Sequence, residues 1–422
     1  MKPFSPVFGL PIGISVTFWT LMGLFRLVTT HLPFKKKAVV SKKNVYKTSD
    51  IAVVIPAHNE ELVIRRCIQA LKLSLHPKQI HVISDGSVDK TYRRARMEGC
   101  HVSYLNPGRG KAKALKYLFE KYDMFRRYKF IFIVDSDTQI DKDFVIQAFK
   151  LLANPKIGVV FGSVRIRWKQ HIIPGLSYYF ISYRERLGKF LQFCFTYGQT
   201  WPPTNVTYVV PGFATIYRSK ILQNLRIDTP GILVEDFNLA FQIHRQKICK
   251  VGYSPMMIGW DQHPDNLSDY WKQVRRWNIG FFQTVRANGV WPSFFWVSLF
   301  VFSFEVLLNS LFILLLPLVL IVTLFSLIPP QYVVSDNTTL ILQQQKIFDI
   351  TRLQKIFIIT FVVDYLWTIG IGLASKKPQM LFYGLFFFIM HYITALILIS
   401  AIVPGFFRKS AGKWTSPKRQ VV

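Results

Sequence analysis

Two aspartates at the end of an apolar run have the spacing that metal-assisted chemistry needs. Asp135 and Asp137 close the stretch "IFIVDSDT" (131–138). In an extended strand, positions i and i+2 face the same side, so the two carboxylates are expected to lie close together and repel each other. Mg²⁺ offsets such repulsion and commonly joins one or two carboxylates to substrate phosphates. The pair therefore predicts a divalent-metal site, against the alternative of a solvated acidic loop.

A second acidic pair, Glu235 and Asp236, opens the helical stretch "VEDFNLAFQIHR" (234–245). A carboxylate such as Asp236 can act as the general base that takes a proton from an acceptor hydroxyl. Acidic residues also favour helix N-termini because the helix dipole is positive there. A purely structural role for the pair therefore stays open.

The segment "QVRRW" (273–277) places Gln273, Arg276 and Trp277 on one helical face. Glutamine and arginine can bind phosphates and hydroxyls, and an indole face can stack on a sugar ring. The alternative is an amphipathic helix at a membrane surface, with Arg275 and Arg276 near lipid headgroups. The two interpretations are compatible.

Polar residues also follow two earlier apolar runs. In "VIPAHNEE" (54–61), Asn59 and Glu60 follow the apolar run and begin a helix. A simple helix cap with acidic first-turn residues would also explain them. In "ISDGSVDKT" (83–91), Asp85 and Gly86 lead into a tight turn, and a turn signal alone would explain them.

The elements that must position these residues form an α/β pattern between residues 50 and 290. Short apolar runs at 51–58, 80–87 and 129–138 alternate with helical spacing. Such runs predict a mostly parallel sheet covered on both faces. Ligands of these sheets bind at the carboxyl ends of the strands, where all three runs place their polar residues.

Apolar segments long enough to cross a bilayer flank this region. They are Val7–Val28, Ser293–Ile328, Ile356–Ala374 and Met380–Val403. We read Ser293–Ile328 as an interfacial helix that continues into a membrane helix. The predicted organisation is an N-terminal transmembrane helix (1–31), a basic cytosolic linker (32–49), a catalytic domain (50–290), an interfacial helix with about three transmembrane helices (291–403) and a basic tail (404–422).

The formal net charge is +30. The basic runs flank apolar segments, which is typical of cytoplasmic loops near anionic lipid, and no nucleic-acid-binding module is found. The lysines at 35–47 place the linker and the catalytic domain in the cytoplasm, with the N-terminus outside. Four crossings would put the C-terminus outside, whereas the basic tail favours inside, so we expect a cytosolic tail and one block that does not cross. The four scattered cysteines indicate neither a disulfide framework nor a zinc site.

The ordered motifs resemble the membrane-bound, processive branch of glycosyltransferase family two, which includes cellulose, chitin, hyaluronan and poly-N-acetylglucosamine synthases. The matching residues are Pro56, Asn59 and Glu60, Asp85-Gly86-Ser87, Gly110-Lys111 with Ala114-Leu115, Asp135 and Asp137, Glu235-Asp236, and Gln273 with Arg276-Trp277. Within this branch, "RIRWK" (165–169) and the tail "KWTSPKR" (413–419) resemble the bacterial poly-β-1,6-N-acetylglucosamine synthases.

The resemblance implies a GT-A-type, nucleotide-sugar-binding domain with α-helical transmembrane segments in the plasma membrane. It implies an inverting transfer from a UDP-sugar to a growing glycan, with Mg²⁺ or Mn²⁺ as cofactor, no nucleic acid, and in many relatives a small membrane partner subunit. The implied donor-binding residues are Pro56, Asn59, Glu60, Asp85 (near the base), Gly86, Lys111 and Asp135. Asp137 would hold the metal with Asp135, Asp236 would be the base supported by Glu235, and Gln273, Arg276 and Trp277 would hold the acceptor and the pyrophosphate.

Three departures fall mostly on the acceptor side. Val234 stands where the family has threonine, Ser136 separates the two aspartates, and 261–264 reads "DQHP" where the family has T-E-x-P. They put the acceptor or polymer in question more than the donor. Alternatives are a non-processive enzyme that glycosylates a polyprenyl phosphate or another lipid, a catalytically inactive transporter or scaffold, and a membrane-tethered nucleic-acid binder.

Overall fold

The computed structural model describes residues 13–31, 46–167, 175–326 and 350–408. Several sequence features lie outside these ranges. They are most of the basic linker, the end of "RIRWK", residues 327–349 and the tail motif at 413–419.

An eight-stranded sheet forms the centre of the catalytic domain. Its strands are β1 Ile51–Ala57, β2 Ile80–Asp85, β3 His101–Leu105, β4 Phe130–Val134, β5 Gln139–Ile140, β6 Ile157–Ile166, β7 Ala214–Arg218 and β8 Lys250–Asp261. Their spatial order is β3-β2-β1-β4-β7-β6-β8-β5. The pairs β3-β2, β2-β1, β1-β4 and β6-β8 are parallel, and β7 and β5 pair in antiparallel fashion. The predicted mostly parallel α/β domain is confirmed.

Helices cover both faces of this sheet. They are α2 Ile64–Lys72, α3 Thr91–Arg96, α4 Lys111–Lys121, α5 Met124–Arg127, α6 Phe144–Leu152, α9 Ser219–Gln223 and α10 Glu235–Gln246. Every residue of β1, β2 and β4 is buried, which explains their continuous apolar runs. Ile55 packs into the core on one face of the sheet, and Val54 into the core on the other.

The remaining helices join this domain to an apolar helical bundle. They are α1 Ile14–His31, α7 Leu176–Leu191, α8 Tyr197–Gln199, α11 Leu267–Asn288, α12 Phe294–Leu314, α13 Leu316–Ser326, α14 Ile350–Ala374, α15 Gln379–Gly384 and α16 Phe387–Phe407. In the described part of the chain, three helical segments are long and apolar enough to cross a membrane: Phe294–Leu324, Arg352–Ala374 and Phe387–Phe407. Helix α1 is apolar but shorter.

Helix α1 is anchored at both ends by residues distant in sequence. At its start, the backbone N–H of Ser15 donates to the Glu305 carboxylate of α12, with N–O distances of 3.1 and 3.2 Å. Near its end, the Arg26 guanidinium lies over the Tyr197 ring and donates to the carbonyl oxygens of Tyr197 and Tyr253. The first contact gives a hydrogen-bond acceptor to one of the backbone N–H groups that have none within the first turn of a helix.

Helix α7 lies between the catalytic domain and the apolar bundle, and it carries three consecutive charged residues with little exposure, Arg184, Glu185 and Arg186. Arg186 pairs with Asp364 of α14, and Glu185 accepts from Lys377 at 2.9 Å. Glu185 and Arg186 thus connect α7 to the helical bundle rather than forming a solvated face.

Candidate active site

The loops that follow β1 and β2 are tied to each other by hydrogen bonds. Asn59 has a positive φ of 54°. Its side-chain oxygen accepts the Val88 N–H at 2.9 Å, and its own N–H donates to the Ser87 hydroxyl at 3.1 Å. The Glu60 N–H donates to Thr91 Oγ1 at 2.7 Å. Pro56 lies inside β1, paired in register with Ile83. These predicted donor-side residues therefore meet at the carboxyl edge of the sheet.

Asp85 lies at the last position of β2 and is almost completely buried. Its carboxylate accepts the backbone N–H groups of Arg109 and Gly110, each at 2.7 Å. A side chain on Gly86 would meet the backbone of Gly108 at 2.8 Å, and its φ of +65° also favours glycine. The two residues together fix the loop that leads into α4.

Lys111 is the first residue of α4 and lies within a cluster of carboxylates. Its Nζ atom is 2.8 Å from Asp135 Oδ1 and 2.7 Å from Glu235 Oε1. Burial opposes the charged ammonium, but Asp135, Glu235 and Asp236 hold the pKa of Lys111 well above its ordinary value. The ammonium thus occupies a position that strongly favours positive charge.

The predicted extended geometry of Asp135 and Asp137 is wrong. Strand β4 ends at Val134, and the next four residues form a turn closed by the Thr138 N–H on the Asp135 carbonyl at 3.0 Å. Asp135 is partly exposed and faces Lys111, whereas Asp137 is buried. Burial raises the pKa of Asp135; Lys111 opposes this shift, and the Asp137 charge adds to it.

Asp236 and Glu235 begin α10 beneath this turn. The Gly212 N–H donates to Asp236 Oδ2 at 3.0 Å. Burial raises the pKa of Asp236 to about 7, and the neighbouring Glu235 charge adds to the effect. Burial would also raise the pKa of Glu235, but Lys111 outweighs it and lowers this pKa below its ordinary value. The two adjacent carboxyls therefore differ in proton affinity, and Asp236 is the one suited to accept a proton near neutral pH.

Helix α11, which carries Gln273, Arg276 and Trp277, packs beside the start of α10. A Cβ on Gly280 would lie 2.7 Å from a Val234 methyl group, so α11 packs directly on the residue before Glu235. The Arg276 charge contributes to lowering the pKa of Glu235. The Gln273 Oε1 atom is buried without a hydrogen-bond partner among the described residues, which is unusual for a structural side chain.

Two residues of this region were missed by the sequence analysis. Gly212 supplies the N–H to Asp236, and a Cβ there would lie 2.7 Å from Asp236 Oδ1 and 2.8 Å from Lys111 Nζ. The signal was the "PGF" turn at 211–213 before an apolar run. Arg184 lies against Trp277. The sequence pattern that could have revealed it is the charged triplet 184–186 between apolar residues.

The chemistry of the carboxylates suits a divalent cation that also binds a phosphate group. Asp135 and Asp137 offer the hard oxygen ligands that Mg²⁺ and Mn²⁺ take. The described residues contain no cluster of three or more histidine, cysteine or acidic side chains placed to enclose a metal. An ion here would complete its coordination with non-protein oxygens, as Mg²⁺ does with substrate phosphates.

The fold and this edge of the sheet define the class of the protein as a GT-A-type glycosyltransferase. Residues 52–225 match the sequence model of the family described as glycosyl transferase family 2. The similarity to this family covers the catalytic domain as far as Leu225, and the chain is a glycosyltransferase.

Known relatives extend the match to the membrane part. The chain is 24% identical to the poly-β-1,6-N-acetyl-D-glucosamine synthase of Staphylococcus epidermidis, over 99% of both chains. It is 24% identical to the probable glycosyltransferase YdaM of Bacillus subtilis, over 67% of this chain and 70% of that one. Among solved structures, it resembles mannosyltransferase PcManGT from Pyrobaculum calidifontis, in complex with GDP-Man and Mn²⁺. The TM-score is 0.55 and the sequence identity is 16%, over 94% of this chain and 97% of that one. At this identity the likeness shows a shared fold alone.

Proposed function

We propose that this chain is a processive, inverting β-glycosyltransferase that polymerises N-acetylglucosamine from UDP-N-acetylglucosamine and passes the polysaccharide across the plasma membrane. The observation that carries the proposal is the position of the Asp236 carboxyl, which accepts the Gly212 N–H beside Glu235 and Lys111 where α11 packs against α10. Burial there raises its pKa to about 7. The relatives named as poly-β-1,6-N-acetyl-D-glucosamine synthases support the choice of sugar and polymer.

In this proposal the residues divide into a donor side and an acceptor side. Pro56, Asn59, Glu60, Asp85 and Gly86 form the nucleotide pocket at the carboxyl ends of β1 and β2, with Lys111 and Asp135 close to the diphosphate. Asp137, together with Asp135, would hold Mg²⁺ or Mn²⁺. The bound ion would neutralise the diphosphate as it leaves. The complex of the Pyrobaculum mannosyltransferase with Mn²⁺ supports a divalent ion for this fold.

On the acceptor side, Asp236 takes the proton from the attacking hydroxyl, so it must be ionised before transfer. Lys111 keeps Glu235 ionised, so the proton of the acceptor hydroxyl moves to Asp236 rather than to Glu235. Gln273, Arg276 and Trp277 bind the acceptor end, and the buried Gln273 oxygen is available to a sugar hydroxyl or amide. Attack opposite the diphosphate of an α-linked donor yields the β-linkage.

We place the catalytic domain in the cytoplasm and the apolar helices across the plasma membrane. Nucleotide sugars are used on that side, and the lysine-rich linker at 35–47 follows the positive-inside rule. Lipids surround the three candidate spans, which expose many large apolar side chains.

A second candidate is a non-processive transfer to a lipid acceptor. A cavity of about 560 Å³ between the apolar helices supports it, because its wall is largely aromatic and aliphatic. Phe302, Ile313, Phe357 and Phe388 are among the lining residues. Such a cavity suits an acyl or prenyl chain better than a sugar polymer.

The test is donor turnover by the purified full chain in lipid nanodiscs with Mg²⁺, with released nucleoside diphosphate followed for a panel of nucleotide sugars. We expect UDP release from UDP-N-acetylglucosamine and a high-mass product. Asp236→Asn should lower the rate roughly 10²- to 10⁴-fold, the usual contribution of a general base. A single-sugar lipid product would support the second candidate, and no release from any donor would contradict both.

A further inference from the structure

Arg184 differs from the two charged residues that follow it in α7. Glu185 pairs with Lys189 and Lys377, and Arg186 pairs with Asp364. Arg184 is only 9% exposed, yet no carboxylate lies within 4.0 Å of its guanidinium in the described ranges. The charge of Asp261 acts on Arg184 only from beyond ion-pair distance. A buried charge without a contacting carboxylate is costly, so the position of Arg184 calls for a functional explanation.

The groups around Arg184 belong to the acceptor side of the site. Its Nε and Nη2 atoms lie 3.3 Å from Nδ1 of His263, to which the guanidinium donates. The guanidinium carbon is 5.0 Å from the centre of the Trp277 ring and 5.9 Å from that of Tyr270. Both distances fall within the range of cation–π attraction. Arg184 is therefore held against the indole of the "QVRRW" segment.

Neighbouring contacts keep this arrangement rigid. The Tyr270 hydroxyl lies 2.7 Å from the Thr394 hydroxyl of α16, and the Tyr270 ring meets the Tyr183 ring edge-on. Tyr183 precedes Arg184 in α7, so α7, α11 and α16 are joined around the guanidinium. A ring that stacks on a sugar binds more tightly when its own orientation is fixed in advance, because less entropy is lost on binding.

We propose that Arg184 is a positioning residue for the glycan acceptor: it covers one face of the Trp277 indole and fixes the ring so that the terminal acceptor sugar stacks on the opposite face. The inference rests on the proposed function, since it assigns Trp277 to the acceptor. It adds a residue of α7, a helix that none of the family motifs includes.

The test is binding of a short β-1,6-linked N-acetylglucosamine oligosaccharide to the full chain in the presence of UDP and Mg²⁺, measured by calorimetry. Loss of the cation–π contact in Arg184→Met should weaken oligosaccharide binding roughly 3- to 30-fold, while the affinity for UDP stays unchanged. Arg184→Lys, which keeps the charge, should recover part of the loss. Lys189→Met in the same helix is the matched control, because Lys189 contacts Glu185 and Ser375 and not Trp277.

A double-mutant cycle with Trp277→Leu shows whether Arg184 acts through the indole. We expect the double variant to bind no more weakly than Trp277→Leu alone, because the two side chains share one interaction. Additive losses, unchanged oligosaccharide binding in Arg184→Met, an equal loss of UDP affinity, or no oligosaccharide binding by the unaltered chain would each overturn the inference. Failure of the proposed function appears separately, as an absence of donor turnover.

Discussion

The carboxylate of Asp85 accepts the backbone N–H of Gly110 at 2.7 Å, and Gly110 is the residue directly before Lys111. The end of β2 thereby sets where α4 begins. The Lys111 ammonium at that point bridges Asp135 and Glu235. A residue expected beside the nucleotide base is thus also connected, through one turn, to the carboxylates of the proposed reaction centre.

Asp85→Asn tests this connection. The amide keeps one acceptor and turns its NH₂ group toward a second N–H donor, so the Arg109–Gly110 turn loses a charge-assisted hydrogen bond. We expect the free energy of unfolding to fall by about 1.5–3 kcal/mol and UDP affinity to fall with it. Thermal unfolding and calorimetry on the same preparation measure both.

The control for this experiment is Asp123→Asn, which alters an exposed ion pair with Arg126 and should change stability by less than about 0.5 kcal/mol. If Asp85→Asn weakened UDP binding with no loss of stability, Asp85 would act only on the base, and its role in placing Lys111 would be refuted.

Lys111→Met should raise the affinity for Mn²⁺ in the absence of nucleotide. The ammonium repels a divalent ion at Asp135, and its removal leaves the acidic cluster uncompensated. We expect a gain of about tenfold, equivalent to about 1.4 kcal/mol, in a titration followed by electron paramagnetic resonance of free Mn²⁺. Lys113→Met, at an exposed position of the same helix, should leave the affinity unaltered. Weaker binding in Lys111→Met would contradict the prediction.

The rate of transfer should depend on pH through Asp236. As a base it works only when ionised, so kcat/KM should fall about tenfold for each pH unit below about 7 and level off above it. Because its pKa lies above the ordinary 3.8, its contribution to folding stability should decrease as pH rises from about 4 to 7. Activity and this part of stability thus change in opposite directions. A pH profile that stayed flat between pH 5 and 8 would rule out Asp236 as the base.

Gly280→Ala should displace α11 from α10. The added Cβ would lie 2.7 Å from a Val234 methyl group, and such overpacking typically costs about 1–3 kcal/mol. We expect lower transfer to the acceptor at unchanged UDP affinity, measured as product formed per donor bound. Val234→Ala removes the contacted methyl groups and should restore transfer in the double variant. Gly188→Ala provides the control, because a Cβ there meets nothing within 4 Å.

The arrangement of the residues proposed to bind the donor could largely be predicted from sequence, because its signals are local. The buried strands β1, β2 and β4 are unbroken apolar runs, and their carboxyl ends meet at one edge by the geometry of parallel pairing. The turn that contains Asp135 and Asp137 was not predicted. It depends on the Asp135 N–H donating to the carbonyl oxygen of Phe213, the residue just before β7, a contact across 78 positions of sequence.

Helix α7 shows why the acceptor side was harder to predict. Three adjacent charges ordinarily indicate an exposed face, yet the partners of Glu185 and Arg186 are Lys377 and Asp364, almost two hundred positions away. Burial of these charges follows only from the arrangement of the membrane helices around α7. No local pattern reveals that Arg184, alone of the three, faces Trp277 and has no contacting carboxylate within the described part of the chain.

The contact between Ser15 and Glu305 has a consequence for biosynthesis. The acceptor of the Ser15 N–H lies 290 positions further along the chain. At a synthesis rate of roughly 5–20 residues per second, it emerges roughly 15–60 s after the helix that it caps. During that interval the start of α1 needs a temporary partner, such as water, lipid headgroups or the insertion machinery. Replacing Glu305 with glutamine would therefore be expected to affect the yield of inserted protein more than the turnover of the molecules that mature.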